Sequence, residues 1–364
     1  MMPAPSRPPP VHGPRRVLIL KPSSLGDVVQ ALPVLRLLKI SQPSSEVYWW
    51  LNESLASLLE GDRDLAGLFL FSRRGWGSPA RWSELIRQVR EMRRLRFDWV
   101  IDLQSLARSG WIAWLANGKL TVGLDDAREG ARGFYDVAVS RPSYHTHAVD
   151  WYLAVLPALG MSARGDFVWL PERAAVAQAL REKWGTEGVW VGLQPGARWL
   201  NKRWPVESYA NLIKLLHRDR PWVKFAVLGS EEDRALGGAL ASSAPGAVVD
   251  LTGRTTLPEM VEWVRRCAVL VTNDTGPMHV AAALKRPVVA LFGPTEPRRT
   301  GPYGQIGGVL QRAELGCVPC MSERCHYAVL FDCLRGIGVE AVAAQVERHL
   351  GVDASGQGRG RPGN

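Results

Sequence analysis

The sequence predicts an α/β protein made of two doubly wound halves, each a parallel sheet flanked by helices. Short apolar runs rich in β-branched residues alternate with helix-length segments along most of the chain, and this order is typical of parallel sheets. The 364 residues also exceed the size at which a single hydrophobic core usually stops growing, which favours two domains.

In the first half, strand and helix patterns alternate from residue 17 to residue 159. Strands are predicted at 17–20, 46–51, 67–71, 99–103 and 119–123, and helices at 28–39, 55–59, 82–94, 106–116 and 147–159. Residues 125–144 are polar and irregular, so no element is predicted there. Proline and glycine within 160–171 indicate the boundary between the halves.

The second half repeats this alternation. Strands are predicted at 189–193, 223–228, 247–251, 268–272 and 288–292, and helices at 174–184, 256–266 and 277–284, with others opening at Trp204-Pro205 and at Glu231. The expected domains are therefore an N-terminal one at 15–165 and a C-terminal one at 166–352. Disordered tails are expected at 1–14 and 353–364.

The motif Asp274-Thr275-Gly276 lies where the strand at 268–272 meets the helix that Pro277 begins. Free backbone N–H groups and the positive end of the helix dipole at such a corner suit a phosphate or a sugar hydroxyl. A capped helix with a tight turn explains the spacing equally well, so both interpretations stay open at this point.

Charged residues follow other predicted strands. Asp27 opens the first helix, where its carboxylate could accept a proton from an attacking hydroxyl or act only as a helix cap. Lys202 and Arg203 could neutralise a diphosphate leaving group or be solvated surface charges. Glu231 could bind ribose hydroxyls or cap a helix.

Composition narrows the classes of protein that fit. Hydrophobic residues make up 46% and charged residues 22%, and no stretch approaches the roughly 18 apolar residues of a spanning helix. The first fourteen residues lack the apolar core of a signal peptide, so nothing argues for export. The net charge of +10 indicates an anionic partner.

Four cysteines form the pattern C-x2-C-x4-C-x7-C at Cys317, Cys320, Cys325 and Cys333. Four thiols at these intervals could enclose zinc or an iron–sulfur cluster, but the intervals match neither usual pattern well. A reduced loop or an occasional disulfide is the favoured interpretation. The segment Asp62-Arg63-Asp64 resembles a metal-binding D-x-D motif, but no predicted strand directly precedes it.

The N-terminal half is conspicuously basic and carries interleaved tryptophans. The arginines are Arg73, Arg74, Arg81, Arg87, Arg90, Arg93, Arg94 and Arg96, with Arg128 and Arg132 later. Such a surface would fit an anionic lipid headgroup, although a solvated helix face is the alternative. The chain has no G-x-G-x-x-G motif and no nucleic-acid-binding motif.

Three separated motifs together resemble the ADP-heptose:lipopolysaccharide heptosyltransferases, glycosyltransferase family 9. They are KPSSLGDV at 21–28, PGA at 195–197 with KRWP at 202–205, and NDTG at 273–276 with His279 and FGPT at 292–295. The resemblance covers roughly residues 16–350. The segments 127–130, 134–135 and 147–150 look closer to the first heptosyltransferase than to the second.

This resemblance implies a GT-B fold of two facing Rossmann-like domains, with the acceptor in the N-terminal domain and the nucleotide sugar in the C-terminal one. It implies inverting transfer from ADP-L-glycero-D-manno-heptose to 3-deoxy-manno-octulosonic acid (Kdo) on lipid A, with no metal and no cofactor. The expected location is the cytoplasm, peripheral to the inner membrane, without a nucleic-acid partner.

The resemblance also implies roles for single residues. Asp27 matches the catalytic base, and Ser24, Gly26, Arg73, Arg74 and Arg128 are the expected acceptor-binding residues. The expected donor-binding residues are Lys202, Glu231, Thr255, Asp274, Thr275, Gly276 and His279.

Other functions remain open on the sequence. A heptosyltransferase of the second type, a transferase for another nucleotide sugar and a nucleotide-sugar epimerase would all use this architecture. A non-catalytic anion-binding protein would also fit the net charge.

Overall fold

In this computed structural model, residues 15–72, 79–126 and 128–353 are described, and the side chains of 79–81, 128 and 351–353 lie outside the description. The chain divides into two compact units between Trp169 and Leu170. Each unit contains one six-stranded parallel sheet with helices between the strands. The predicted α/β class with two doubly wound halves is confirmed.

The first sheet has the strand order β3-β2-β1-β4-β5-β6. Its strands are β1 (Arg16–Leu20), β2 (Glu46–Asn52), β3 (Gly67–Phe71), β4 (Trp99–Asp102), β5 (Leu120–Asp125) and β6 (Val137–Ser140). The helices of this unit are α1 (Leu25–Ser41), α2 (Ala56–Leu59), α3 (Pro79–Leu95), α4 (Ala107–Ala116), α5 (Ala148–Leu153) and α6 (Val155–Ala158). Two 3-10 helices lie at Glu53–Leu55 and Arg128–Phe134.

Helix α1 is buried around most of its circumference, so it lacks the amphipathic stripe of a surface helix. Near its C-terminal end, the Arg36 guanidinium lies 2.5 Å from a carboxylate oxygen of Asp62 and 2.6 Å from one of Asp64. The guanidinium also donates to the Trp169 carbonyl at 3.0 Å. Both carboxylates of the D-x-D-like segment thus fix α1 in place.

The second sheet, read from one edge, has the order β9-β8-β7-β10-β11-β12 and so repeats the strand order of the first. Its strands are β7 (Val189–Gln194), β8 (Val223–Val227), β9 (Val248–Asp250), β10 (Val269–Asn273), β11 (Val288–Phe292) and β12 (Val309–Gln311). Its helices are α7 (Ala174–Trp184), α8 (Val206–Asp219), α9 (Arg234–Ala241), α10 (Leu257–Arg266), α11 (Gly276–Ala283), α12 (Pro297–Thr300), α13 (Asp332–Arg335) and α14 (Val339–Asp353). Short 3-10 helices lie at Leu200–Lys202, Glu231–Asp233 and Ile306–Gly308.

The expectation that 125–144 holds no regular element is wrong. This segment contains the 3-10 helix Arg128–Phe134 and the edge strand β6. Strand β6 has only four residues and none of them is fully buried, so it lacks the continuous apolar run by which a buried parallel strand is identified. The pairing of β6 with β5 supplies its order instead.

Within the described ranges, no helix combines the length and the apolar composition that crossing a bilayer requires.

Candidate active site

The strand orders place the predicted site residues at the same topological point in each unit. In each sheet the order reverses between the first strand and the fourth, β1 and β4 in one and β7 and β10 in the other. Loops diverge at such a reversal and leave a crevice at the carboxyl ends of the strands, where ligands of these sheets bind. Asp27 follows β1, Lys202 follows β7 and Asp274 directly follows β10.

The two carboxylate oxygens of Asp27 have different surroundings. Oδ2 accepts hydrogen bonds from the backbone N–H of Ser24 at 2.9 Å and from the Ser24 hydroxyl at 2.7 Å, which fixes the first turn of α1 as a capping contact does. Oδ1 lies 3.3 Å from the Tyr152 hydroxyl and 3.7 Å from Nζ of Lys21. With 41% of the side chain exposed, Asp27 remains accessible to a substrate hydroxyl.

Lys21 is a buried cation directly beside this carboxylate. The residue is 3% exposed, and its ammonium donates to the Leu103 carbonyl at 3.0 Å and lies 4.8 Å from the Tyr152 ring centroid. Burial disfavours the charge, but the Tyr152 hydroxyl and the Asp27 carboxylate outweigh it and raise the pKa of Lys21 above its usual value. The lysine therefore remains a fixed positive charge at neutral pH.

The turn that receives the Lys21 ammonium is held by Asp102, at the end of β4. This fully buried carboxylate accepts from the backbone N–H groups of Gln104 at 2.9 Å and Ser105 at 3.1 Å, and from the Tyr135 hydroxyl at 2.8 Å. Burial raises the pKa of Asp102, while the hydrogen bonds it accepts oppose that shift. Asp102 thus orders the loop in which Leu103 lies.

The predicted acceptor-binding residues fall into two groups. Ser24 is the N-cap of α1 and is exposed, and Gly26 is buried in the first turn of the same helix. Arg73 and Arg74 lie outside the described residues, and so does the side chain of Arg128, whose backbone begins a 3-10 helix. The acceptor roles of all five residues stay predictions.

In the second unit, Lys202 and Asp274 form a direct ion pair. Nζ of Lys202 donates to Oδ2 of Asp274 at 2.6 Å, and the Thr295 hydroxyl donates to the same oxygen at 2.7 Å. The ammonium also lies 4.6 Å from the ring centroid of Trp199. The neighbouring Arg203 instead donates to the Ala197 carbonyl at 2.7 Å and holds its own loop.

Asn273 connects the Lys202 loop to the end of β10. This fully buried amide donates to the Pro195 carbonyl at 2.7 Å and accepts from the Trp204 backbone N–H at 3.1 Å and from the Tyr209 hydroxyl at 3.3 Å. The segment that carries Lys202 is therefore fixed at both of its ends to the strand that precedes Asp274.

The amino end of α11 lies at the same corner. Thr275 is the N-cap, Gly276 is the first helical residue, and Pro277 occupies the first turn, where its missing N–H costs nothing. His279, one turn further along, is 8% exposed. The positive end of the helix dipole thus lies next to the Lys202–Asp274 pair.

Glu231 and Thr255 lie near each other at the ends of β8 and β9. The backbone N–H of Gly253 donates to the Gly229 carbonyl at 3.0 Å, which joins the two loops. A Cβ on Gly253 would lie 2.4 Å from Oε2 of Glu231, so this carboxylate packs against the backbone that leads to Thr255. Glu231 is 69% exposed and pairs with Arg234 at 2.8 Å.

Three residues of the site had no role in the sequence analysis: Lys21, Tyr152 and Thr295. Tyr152 is 125 positions from Asp27 in the sequence, so no spacing rule could connect the two. Lys21 and Thr295 lie within the motifs quoted above. Each comes shortly after a strand, β1 and β11 respectively, and this position is the signal that could have identified them.

The cysteine loop lies close to the Lys202 segment. All four thiols are free, and they line a cavity of about 170 Å³ together with Asn201 and His326. Burial and the three nearby thiols raise the pKa of Cys333 to about 11. Among the described residues, no group of three or more His, Cys, Asp or Glu side chains is arranged to hold a metal ion.

Comparisons with known proteins agree with this geometry. The family model "Glycosyltransferase family 9 (heptosyltransferase)" matches residues 85–330. Lipopolysaccharide heptosyltransferase 1 of Pseudomonas aeruginosa is 29% identical over 356 residues, which cover 92% of this chain and 98% of that protein.

Solved structures show the same fold. A family 9 glycosyl transferase from Veillonella parvula superposes with a TM-score of 0.79 at 25% identity, covering 92% of this chain and 97% of that chain. The E. coli heptosyltransferase WaaC, solved with ADP, gives 0.71 at 24% identity, covering 92% and 99%. The GT-B class is thereby confirmed, and, with the family model matching more than half of its length, the chain belongs to glycosyltransferase family 9 and is a glycosyltransferase.

Proposed function

We propose that this enzyme transfers heptose from ADP-L-glycero-D-manno-heptose to the Kdo residue of Kdo-lipid A, in the inner core of lipopolysaccharide, with inversion at the anomeric carbon. The likeness to a heptosyltransferase 1 along 92% of the chain supports this donor and acceptor. The observation that carries the proposal is the position of Asp27, an accessible carboxylate at the strand-order reversal of the first sheet with one oxygen directed at a buried cation.

In the proposed reaction, an acceptor hydroxyl oxygen attacks the anomeric carbon of the heptose. Its proton passes to the Asp27 carboxylate while the bond from the anomeric carbon to the phosphate oxygen breaks and ADP leaves. Ser24 holds Oδ2 and the Tyr152 hydroxyl contacts Oδ1, so the direction of the carboxylate that takes the proton is fixed. A carboxylate that is fixed by its neighbours can meet the hydroxyl with little reorganisation.

Lys202 is the proposed partner of the departing diphosphate. An ammonium has three N–H donors, and one of them is occupied by Asp274, so Lys202 can donate to a phosphate oxygen without leaving its carboxylate. The amino end of α11 lies beside it and favours negative charge. In this proposal, Lys202 and α11 supply the positive charge opposite the leaving group.

Glu231 and Thr255 are proposed to receive the nucleoside. They follow β8 and β9, on the side of β7 away from β10, so a nucleotide whose phosphates lie at Lys202 could extend along this edge of the sheet. Acidic side chains at such strand ends accept hydrogen bonds from ribose hydroxyls. Thr275, Gly276 and His279 are proposed to contact the phosphates and the heptose.

Contact with the inner membrane is proposed through one surface, the α3–α4 face. Exposed apolar side chains on this face are Trp82 (46%), Ile86 (48%), Trp111 (36%) and Trp114 (57%). Exposed arginines surround them on the same two helices, at Arg87, Arg90, Arg93, Arg94 and Arg108. Tryptophan favours the lipid interface, and arginine favours anionic headgroups.

The two helices of this face are fixed to each other. Arg93 on α3 donates to the carbonyl of Leu115 on α4 at 2.8 Å, so the two helices that carry these exposed side chains are adjacent. We therefore propose that the enzyme is cytoplasmic and peripheral to the membrane that carries its acceptor.

Mass spectrometry of products tests the proposed reaction. The protein is mixed with ADP-heptose and either Kdo-lipid A or an acceptor that already carries one heptose. The expected result is a single added heptose on Kdo-lipid A, with ADP released only when acceptor is present.

Other outcomes identify the alternatives. Transfer only to the heptose-bearing acceptor would assign the enzyme to the second type, and conversion of the donor without acceptor would indicate an epimerase. Tight binding of the donor without turnover would favour a non-catalytic anion-binding protein.

A further inference from the structure

Lys21 has a geometry that differs from that of an ordinary structural ion pair. Its ammonium is 3.7 Å from Oδ1 of Asp27, whereas the Lys202–Asp274 pair is closed at 2.6 Å. At the longer distance the cation acts on the carboxylate through its electric field and not through a short hydrogen bond. The nearest hydrogen-bond acceptor of the ammonium is the Leu103 carbonyl instead.

The lysine is held rigidly in this position. Its own backbone carbonyl accepts from Nε1 of Trp49 at 3.0 Å, and the following residue, Pro22, accepts from the Asn52 backbone N–H at 3.0 Å. Its ammonium is fixed by Leu103, whose turn Asp102 orders. A buried ammonium is costly for a fold, so such a fixed placement beside an accessible carboxylate points to a role in the reaction.

We propose that Lys21 is a positioning residue for the transferase reaction, which holds Asp27 ionised and aimed at the acceptor, with the Tyr152 hydroxyl fixing the same oxygen. This inference rests on the proposed function of Asp27 as the base. Lys21 and Tyr152 orient Oδ1 of Asp27, and Ser24 holds Oδ2.

At least three elements of the described chain bring groups to the Asp27 carboxylate. Lys21 lies in the loop after β1, Ser24 caps α1, and Tyr152 belongs to α5. Asp102, at the end of β4, acts on the Lys21 ammonium from the other side. Removing the positive charge of Lys21 weakens the field that favours the ionised carboxylate, so protonation of Asp27 becomes easier.

The test compares Lys21→Met, Lys21→Arg and Tyr152→Phe by pH profiles of kcat and kcat/KM for heptose transfer. For Lys21→Met, the acid limb of the kcat/KM profile is expected to move up by about 1 pH unit or more, as loss of an opposite charge within roughly 4–6 Å implies. The kcat is expected to fall by about tenfold to a hundredfold, within the contribution of general-base catalysis.

Two variants separate this role from a structural one. Lys21→Arg retains the charge and is expected to keep the acid limb near its normal pH. Tyr152→Phe removes one hydroxyl and is expected to move the limb in the same direction as Lys21→Met, but less. The control is Lys39→Met, which removes a lysine at the far end of α1 that donates to the Pro43 and Ser45 carbonyls, and it should leave the limb in place.

An unchanged acid limb in folded Lys21→Met, or in Tyr152→Phe if the lysine variant fails to fold, would overturn the proposal. Folding is checked by circular dichroism and donor binding by titration with ADP, which should be unaffected because Lys202 is intact. If the unmodified enzyme transfers no heptose, the proposed function fails and this inference fails with it, whereas an active enzyme whose Lys21→Met variant keeps its acid limb overturns this inference alone.

Discussion

Asp27 uses its two carboxylate oxygens for different purposes. The sequence left two interpretations open, a helix cap and a catalytic base. The geometry shows that Oδ2 accepts from Ser24 in the first turn of α1, while Oδ1 faces Tyr152 and Lys21 and 41% of the side chain stays exposed. The two interpretations are therefore compatible in one side chain.

Substitution of Asp27 separates these two contributions. Asp27→Asn keeps an oxygen that can accept from Ser24 but cannot take a proton, so kcat is expected to fall by roughly 10²–10⁴-fold with little change in Tm. Asp27→Ala should lose the same activity and also about 1 kcal/mol of stability, because the capping contact is gone. Kinetics and thermal denaturation check both, and near-normal transfer by either variant would contradict the role of base.

Lys202 is expected to act mainly on donor binding. Lys202→Met should raise the Kd for ADP about tenfold to a hundredfold, because a hydrogen bond to a charged group contributes about 1.5–3 kcal/mol. Isothermal titration calorimetry measures this directly.

The matched control is Lys224→Met, a lysine of the same unit whose ammonium donates to the Glu187 carbonyl at 3.4 Å. It should bind ADP normally. Equal affinity in the two variants would show that Lys202 does not meet the diphosphate.

Sequence patterns could not predict the side-chain contacts between residues that lie far apart in the chain. Asp27 and Lys202 were identified because each lies in a motif that follows a strand. The partner hydroxyl of Tyr152 arrives from α5, and Asp274 pairs with Lys202 across 72 positions. Such contacts depend on where the sheet places its loops, and local composition carries no information about that.

Among the secondary-structure elements, two strands and one helix were predicted with the bounds that the structure shows. The strands at 67–71 and 288–292 and the helix at 174–184 have the predicted bounds. The edge strands β6 and β12 were missed because they have four and three residues and are only partly buried. The other two edge strands, β3 and β9, were predicted, so an edge position alone does not remove the apolar pattern that identifies a strand.

Helix α1 depends on a buried ion-pair network at its C-terminal end. Asp62→Asn would leave the Arg36 guanidinium, 5% exposed, with one carboxylate instead of two. Breaking a buried pair costs roughly 3–5 kcal/mol, so a large drop in Tm is expected, with transfer retained at low temperature. The drop in Tm of Asp62→Asn should be the same with and without added divalent metal.

An exposed ion pair provides the comparison for this prediction. Glu46→Gln breaks the pair with Arg16, whose side chains are 46% and 49% exposed, and should cost no more than about 1 kcal/mol. If both variants lose the same stability by thermal denaturation, the Arg36 network does not fix α1 in the way described.

For the whole molecule, the fold class and the family followed from the sequence, whereas the arrangement of the α3–α4 face required the structure. The basic run was visible in the sequence, but a solvated helix face explained it equally well. The exposed tryptophans of α4 lie beside these arginines only because α3 and α4 pack together.

Flotation with lipid vesicles tests the α3–α4 face. The protein is expected to bind vesicles that contain phosphatidylglycerol and not those of phosphatidylcholine alone. Replacing Arg90 and Arg94 by Gln should weaken binding roughly thirtyfold, because each charge near the surface contributes about 1 kcal/mol. The control pair Arg181→Gln and Lys183→Gln removes the same charge from α7 of the second unit, and equal loss in both would indicate a non-specific charge effect.

The repeated strand order bears on the origin of the chain. In both units a lysine follows the first strand and an aspartate ends or follows the fourth, as Lys21 with Asp102 and Lys202 with Asp274. Duplication of one ancestral gene segment would produce such a correspondence, with the copies diverging afterwards.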